Sequence, residues 1–141
     1  MTKRLFKCVI CTALILTSSA LWAATNNLSQ ALSPQLSVSG EMTQDKFQQL
    51  IKQGFKSVIV NRPDQEQGNT VRVDQLRNIA EQSKVSVIYQ PVTSSKISET
   101  DVVEFAKYYN ELPKPILMVC KSGARSSLLF NQAKQRGLLH E

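Results

Sequence analysis

Pro115-Ile-Leu-Met-Val-Cys120-Lys-Ser-Gly-Ala-Arg125-Ser-Ser-Leu-Leu-Phe130 is the stretch from which the rest of the chain can be read. Ile116 to Val119 is a short unbroken apolar run closed off by Pro115, the pattern of a strand buried on both faces of a parallel sheet. Such a strand delivers Cys120 to its carboxyl end, the edge where open α/β sheets bind ligands. Lys121, Ser122, Gly123 and Ala124 can form a tight loop whose backbone N–H groups converge on one anion. A helix opening with Ser126 and Ser127 adds its positive end to the same spot. A cysteine placed there has a depressed pKa and attacks as the thiolate. Arg125 offers a planar fork for two oxygens of a tetrahedral anion. Taken singly, a strand-end cysteine is usually a small buried hydrophobe and a helix-opening arginine a solvated charge. It is the conjunction that points to chemistry.

Working outward, strands alternate with helices along the chain. Leu36-Ser-Val38-Ser-Gly40 reads as a short strand, and Thr43 as the N-cap of a helix with Phe47, Leu50 and Ile51 on one face, stopped at Gly54. Ser57 to Val60 is a second buried strand, broken by Asn61-Arg-Pro-Asp64, and the polar loop on to Thr70 has the length of a binding loop. Val73, Leu76, Ile79 and Ala80 predict a helix over Val71 to Gln82, followed by a strand at Val85 to Tyr89. Ser98-Glu-Thr-Asp101 is a capping box for a helix burying Val102, Phe105, Ala106 and Tyr109. The last helix should run from about Ala124 to Arg136. This order implies an α/β fold: a mostly parallel sheet of four to five strands flanked by helices, with right-handed crossovers.

The 141 residues make one domain preceded by a different kind of segment. Lys3, Arg4 and Lys7, the apolar run Cys8 to Thr17 and the small residues from Ser18 to Ala24 read as a cleavable export signal over residues 1–24. Residues 25–35 are then expected as a flexible lead-in and 36–141 as the domain, in a periplasmic or secreted protein. Loss of the three basic residues leaves 14 against 11 acidic ones, a net +3, scattered without the runs or aromatic interleaving that would suggest nucleic acid. Cys8 and Cys11 go with the signal, so Cys120 can form no internal disulfide. His140 is the only histidine and lies near the C-terminus, so nothing in the sequence argues for a Cys–His pair or a metal cluster. No cofactor and no stable membrane association after cleavage are expected.

Val38-Ser-Gly40, Gly54-Phe-Lys-Ser-Val-Ile, Asn61-Arg-Pro-Asp64, Pro91-Val-Thr93 and Cys120-Lys-Ser-Gly-Ala-Arg-Ser126 occur in this order in a known family. Over Leu36 to the C-terminus the chain resembles the phosphatase-like domain of beta-lactamase hydrolase-like proteins, related to the dual-specificity and tyrosine phosphatases. The resemblance implies a phosphatase-like fold, Cys120 as nucleophile, and Arg125 with the amides of Lys121, Ser122, Gly123 and Ala124 as the clamp on the anion. It implies further that Ser126 hydrogen-bonds the thiolate or leaving sulfur.

Three features depart from the tyrosine phosphatase pattern. Four residues, not five, separate Cys120 from Arg125, a loop length like that of rhodanese-type sulfurtransferases. Val119 stands where phosphatases usually carry histidine. The loop after Tyr89 holds no carboxylate before Asp101, which the capping box takes. Asp64, in its Arg-Pro-Asp setting, is left as the candidate general acid or a simple turn residue, and Arg62 as a second anion contact or a surface charge. The expected activity is that of a cysteine-dependent phosphatase-like hydrolase acting on a small anionic substrate, a phosphate ester. The alternatives are a sulfurtransferase carrying a persulfide on Cys120, for which the small anion is a sulfur donor, and a non-catalytic anion-binding module.

Overall fold

The computed structural model describes residues 28–93 and 96–141; the expected export signal and its two cysteines lie outside them. Nine elements follow in the order β1 (Gln30–Ser33), β2 (Leu36–Ser39), α1 (Gln44–Lys52), β3 (Ser57–Val60), α2 (Val73–Glu81), β4 (Ser86–Tyr89), α3 (Glu99–Glu111), β5 (Ile116–Val119) and α4 (Ala124–Gln135). The sheet order is β1-β2-β5-β3-β4, with β1 antiparallel to β2 and every other pairing parallel. This is the expected α/β fold with five strands, and β5 lies at its centre.

An apolar run with no polar alternation needs cover on both faces, and β5 receives it. Leu117 and Val119 join Val58 and Val60 under α1 and α2, packing on Phe47, Leu50 and Leu76. Ile116 and Met118 join Leu36, Val38 and Ile59 under α3 and α4, packing on Phe105, Tyr109, Leu129 and Phe130. The period of two along the strand thus sends successive residues into two separate cores. Helix starts fall where the caps dictate. The Thr43 hydroxyl accepts from Lys46 N, and Ser98 and Asp101 form the reciprocal capping box of α3.

The differences from expectation are local. Part of the expected lead-in is structured: Gln30–Ser33 pairs with Leu36–Val38 across the Pro34-Gln35 turn. Its pattern conceals this, because the edge strand is half exposed and carries one large apolar residue, Leu32. Helix α2 starts two residues later than the periodicity suggests, since Val71 is buried in the approach to the helix. Among the described residues no helix is long and apolar enough to cross a membrane.

Phe105 is fully buried at the centre of the second core, and its ring lies 6.1 Å from that of Tyr109. Truncation to alanine should cost roughly 3–5 kcal/mol of stability. Urea unfolding followed by circular dichroism measures this, and a loss under about 1 kcal/mol would contradict the packing described.

Candidate active site

The parallel ladder runs one residue past each strand. Cys120 N donates to Ser39 O (3.1 Å), Asn61 N to Val119 O (2.7 Å) and Gln90 N to Val60 O (2.9 Å). Gly40, Cys120, Asn61 and Gln90, each the first residue after its strand, therefore stand level along the carboxyl edge. A chain turning off at Cys120 has to curl immediately, and Gly123 makes this possible with φ +87°, a conformation costly for any residue bearing a Cβ. Gly40 clears the space beneath: a Cβ there would lie 3.1 Å from Lys121 O and 3.2 Å from Ser122 Cα.

The curl turns backbone donors onto the sulfur. Gly123 N lies 2.9 Å from Cys120 Sγ and donates to it. Cys120 is 1% exposed, and burial pushes its thiol up. Hydrogen bonds from the Ser126 backbone and hydroxyl, then from the Ser122 and Gly123 backbones, outweigh that and leave it below the ordinary thiol range. The Ser126 hydroxyl is within 2.8 Å of Asn61 Oδ1 as well.

Asn61, which sequence reasoning passed over as a strand breaker, ties these loops together. It is fully buried; besides accepting from Ser126, its Nδ2 donates to Gln90 O (3.1 Å) and its carbonyl accepts from Val92 N (2.9 Å). Val92 O in turn accepts from Arg125 Nη1 (2.9 Å). The loops after β3, β4 and β5 are held in one hydrogen-bonded cluster.

Arg125 opens α4 and is 6% exposed. Glu66 grips the end of its guanidinium, with Oε2 2.7 Å from Nη1 and Oε1 2.7 Å from Nη2. Counting donors, Nη1 is spent on Glu66 and Val92, and Nη2 gives one N–H to Glu66. The remaining Nη2–H and the Nε–H have no partner among the described residues, and they lie on one edge as a fork. Arg125 holds the carboxyl of Glu66 below the usual carboxylate range. A cleft of about 700 Å³ opens over the loop, walled by Pro63 and Gln65–Gln67, Thr93 and Ile97, and Leu128, with Lys121, Ser122, Ala124 and Arg125 at its floor.

Cys120, the Lys121–Ala124 loop, Arg125 and Ser126 are thus brought together as expected, whereas Arg62 and Asp64 are not. Arg62 is 5% exposed; its Nε donates to Glu66 Oε1 (3.2 Å), its Nη2 to Gln67 O (3.3 Å), and its Nη1 lies 3.9 Å from Glu41 Oε1, so it braces Glu66. Asp64 Oδ1 accepts from Val73 N (2.8 Å) at the start of α2, and its own N–H donates to Tyr89 Oη (2.9 Å). It lines a neighbouring cleft with Arg72 and Pro91, because the turn at Pro63 carries it past the loop. Glu66, which the sequence hid in a polar loop without periodicity, occupies the place at the cleft expected for Asp64.

The profile of the phosphatase-like domain of beta-lactamase hydrolase-like proteins matches residues 28–136. The chain belongs to this family. A beta-lactamase hydrolase-like protein of Xylella fastidiosa (strain Temecula1 / ATCC 700964) is 28% identical over 99 residues, which cover 70% of this chain and 23% of that protein. The chain therefore corresponds to about a quarter of the curated relatives it matches. A solved structure of a candidate phosphatase from Neisseria meningitidis Z2491 is 31% identical, covers 74% of this chain and 75% of that one, and superposes with a TM-score of 0.69. The P. aeruginosa protein TpbA in complex with pTyr shares the fold at 20% identity and a TM-score of 0.51, over 75% of this chain and 67% of that one. The family's domain begins at residue 28, which places β1 inside it.

Titration of Cys120 by iodoacetamide tests this environment. Only the thiolate reacts, so labelling should stay fast as the pH falls below the reference value of about 8.5 and be lost through the lower folded value. Removing one donor in Ser126→Ala should raise the midpoint. An unmoved midpoint would mean that the hydroxyl serves Asn61 alone.

Proposed function

We propose that this domain is a cysteine-dependent phosphatase that hydrolyses small phosphorylated anions through a covalent cysteinyl-phosphate. The observation that carries this reading is the buried Cys120 sulfur, held by backbone N–H groups of the loop whose Lys121, Ser122 and Ala124 floor a cleft, beside an arginine with one open edge. The family and the phosphatase-like fold support it. The Cys120 thiolate attacks phosphorus, and the oxygens it leaves equatorial are held by the loop amides and the free Nε–Nη2 fork of Arg125. Glu66 and Val92 keep that fork pre-set, so no reorganisation is needed when the charge spreads in the transition state. Ser126 then donates to the departing sulfur as water releases the phosphate.

Two features favour a second reading, sulfur transfer through a Cys120 persulfide: the four-residue spacing to Arg125 and the bound state of every nearby carboxylate. The two chemistries part on one preparation, assayed with p-nitrophenyl phosphate and with thiosulfate plus cyanide. Cys120-dependent hydrolysis with negligible thiosulfate turnover is expected; the reverse result would overturn the phosphatase reading. Arg125→Lys should lose about a hundredfold or more in kcat/KM, since an ammonium cannot satisfy both Glu66 and two phosphoryl oxygens.

The basic, apolar and small-residue segments of residues 1–24 extend the reading to an exported enzyme. Intact-mass measurement of the periplasmic fraction should give a chain starting between Leu21 and Thr25. Full-length protein confined to the cytosol would refute export.

A further inference from the structure

A positioned acid is what allows a phosphatase to expel a poor leaving group, and it must both carry a proton and reach the leaving oxygen. Exposed Glu41, after β2 on this edge, lies 3.9 Å from Arg62 Nη1 and does not line the cleft. Glu66 is the one carboxylate lining the cleft among the described residues; both its oxygens are bound by Arg125, one of them by Arg62 as well. Ionised and clamped in this way, it has no proton to give at neutral pH, and turning to collect one would release Arg125. Asp64 caps α2 and faces the neighbouring cleft. Asp101 Oδ2 accepts from Ser98 N in the capping box of α3. The other polar cleft walls are the amides of Gln65 and Gln67, the hydroxyls of Thr93 and Ser122 and the Lys121 ammonium, with no further carboxylic acid among the described residues.

We propose that the site is built for phosphoryl donors whose leaving group departs as a stable anion, acyl phosphates and phosphoanhydrides, in preference to the phosphate esters of alcohols and unactivated phenols. This rests on the phosphatase reading above and gives its substrate class. In the first step the Cys120 sulfur pair forms the S–P bond while the P–O bond breaks, its electron pair leaving on the carboxylate or phosphate oxygen without a proton. In the second, water oxygen bonds to phosphorus, the S–P pair returns to Cys120 as thiolate, and both water protons leave with the product as dihydrogen phosphate. No acid is needed in either step.

The experiment is a leaving-group series on the purified chain, with kcat/KM measured for acetyl phosphate, pyrophosphate, p-nitrophenyl phosphate, phenyl phosphate and methyl phosphate. Because kcat/KM reports the first step, it should fall steeply with leaving-group basicity. Phenyl phosphate should be about 10² to 10⁴-fold slower than p-nitrophenyl phosphate, the factor that a positioned acid would otherwise supply. Asp64→Asn, which keeps an acceptor for Val73 N, should give the same slope. A phenyl phosphate rate within about tenfold of the nitrophenyl rate, or a slope that steepens in Asp64→Asn or Lys121→Ala, would reveal an acid and overturn the proposal. Failure of every phosphoryl donor, acetyl phosphate included, alongside active thiosulfate turnover would instead refute the phosphatase reading on which it stands.

Discussion

Everything at this site hangs on the overrun of the parallel ladder past the end of β5. By donating one more bond across the sheet, Cys120 and Asn61 are held as firmly as strand residues while their side chains already belong to the loops. A sulfur on a free loop would sample many positions; one fixed in the sheet's own hydrogen-bond register has one. The cost is burial of the sulfur, and the inward-turned amides of the loop, with the Ser126 hydroxyl, offset it. The glycines at 40 and 123 permit the close turn on which that compensation depends.

Arg125 shows the same logic in charge. A guanidinium at 6% exposure is expensive unless paired, and Glu66 pairs it on the edge that an anion does not need. Arg62, also buried, turns the pair into a three-membered network, so the β3–α2 loop carries structural charges rather than catalytic ones. Commitment of Glu66 to this pairing leaves the cleft without a free carboxylate among the described residues. Stabilising the fork and supplying a proton are competing uses of one residue, Glu66.

Much of this was legible in the residues. The run Ile116–Val119 announced a doubly covered strand, the caps at Thr43 and Ser98 started their helices where the structure starts them, and the loop after Cys120 curls back onto its sulfur. Such features are local: they follow from side-chain periodicity, from backbone groups a helix end leaves open, or from a turn too tight for a Cβ. The missed strand β1 has no such signature, because its stability comes from pairing with β2 rather than from its own pattern. Asp64 misled for a related reason. Its sequence setting fits an acid loop, yet the direction in which Pro63 sends the chain is decided by what packs around it.

The sequence by itself determined the layer order, the two-sided core and the tight loop that follows β5, since hydrophobic periodicity and turn chemistry act between near neighbours. The tertiary structure alone decided the partners. Glu66 and Arg125 are 59 residues apart, and Asn61 and Ser126 are 65 apart, so no spacing rule could join them. They meet because strands β3 and β5, distant along the chain, are neighbours in the sheet and end at the same level. Which carboxylate clamps the arginine and which one caps a helix is settled there, by geometry between chain segments that share only an edge.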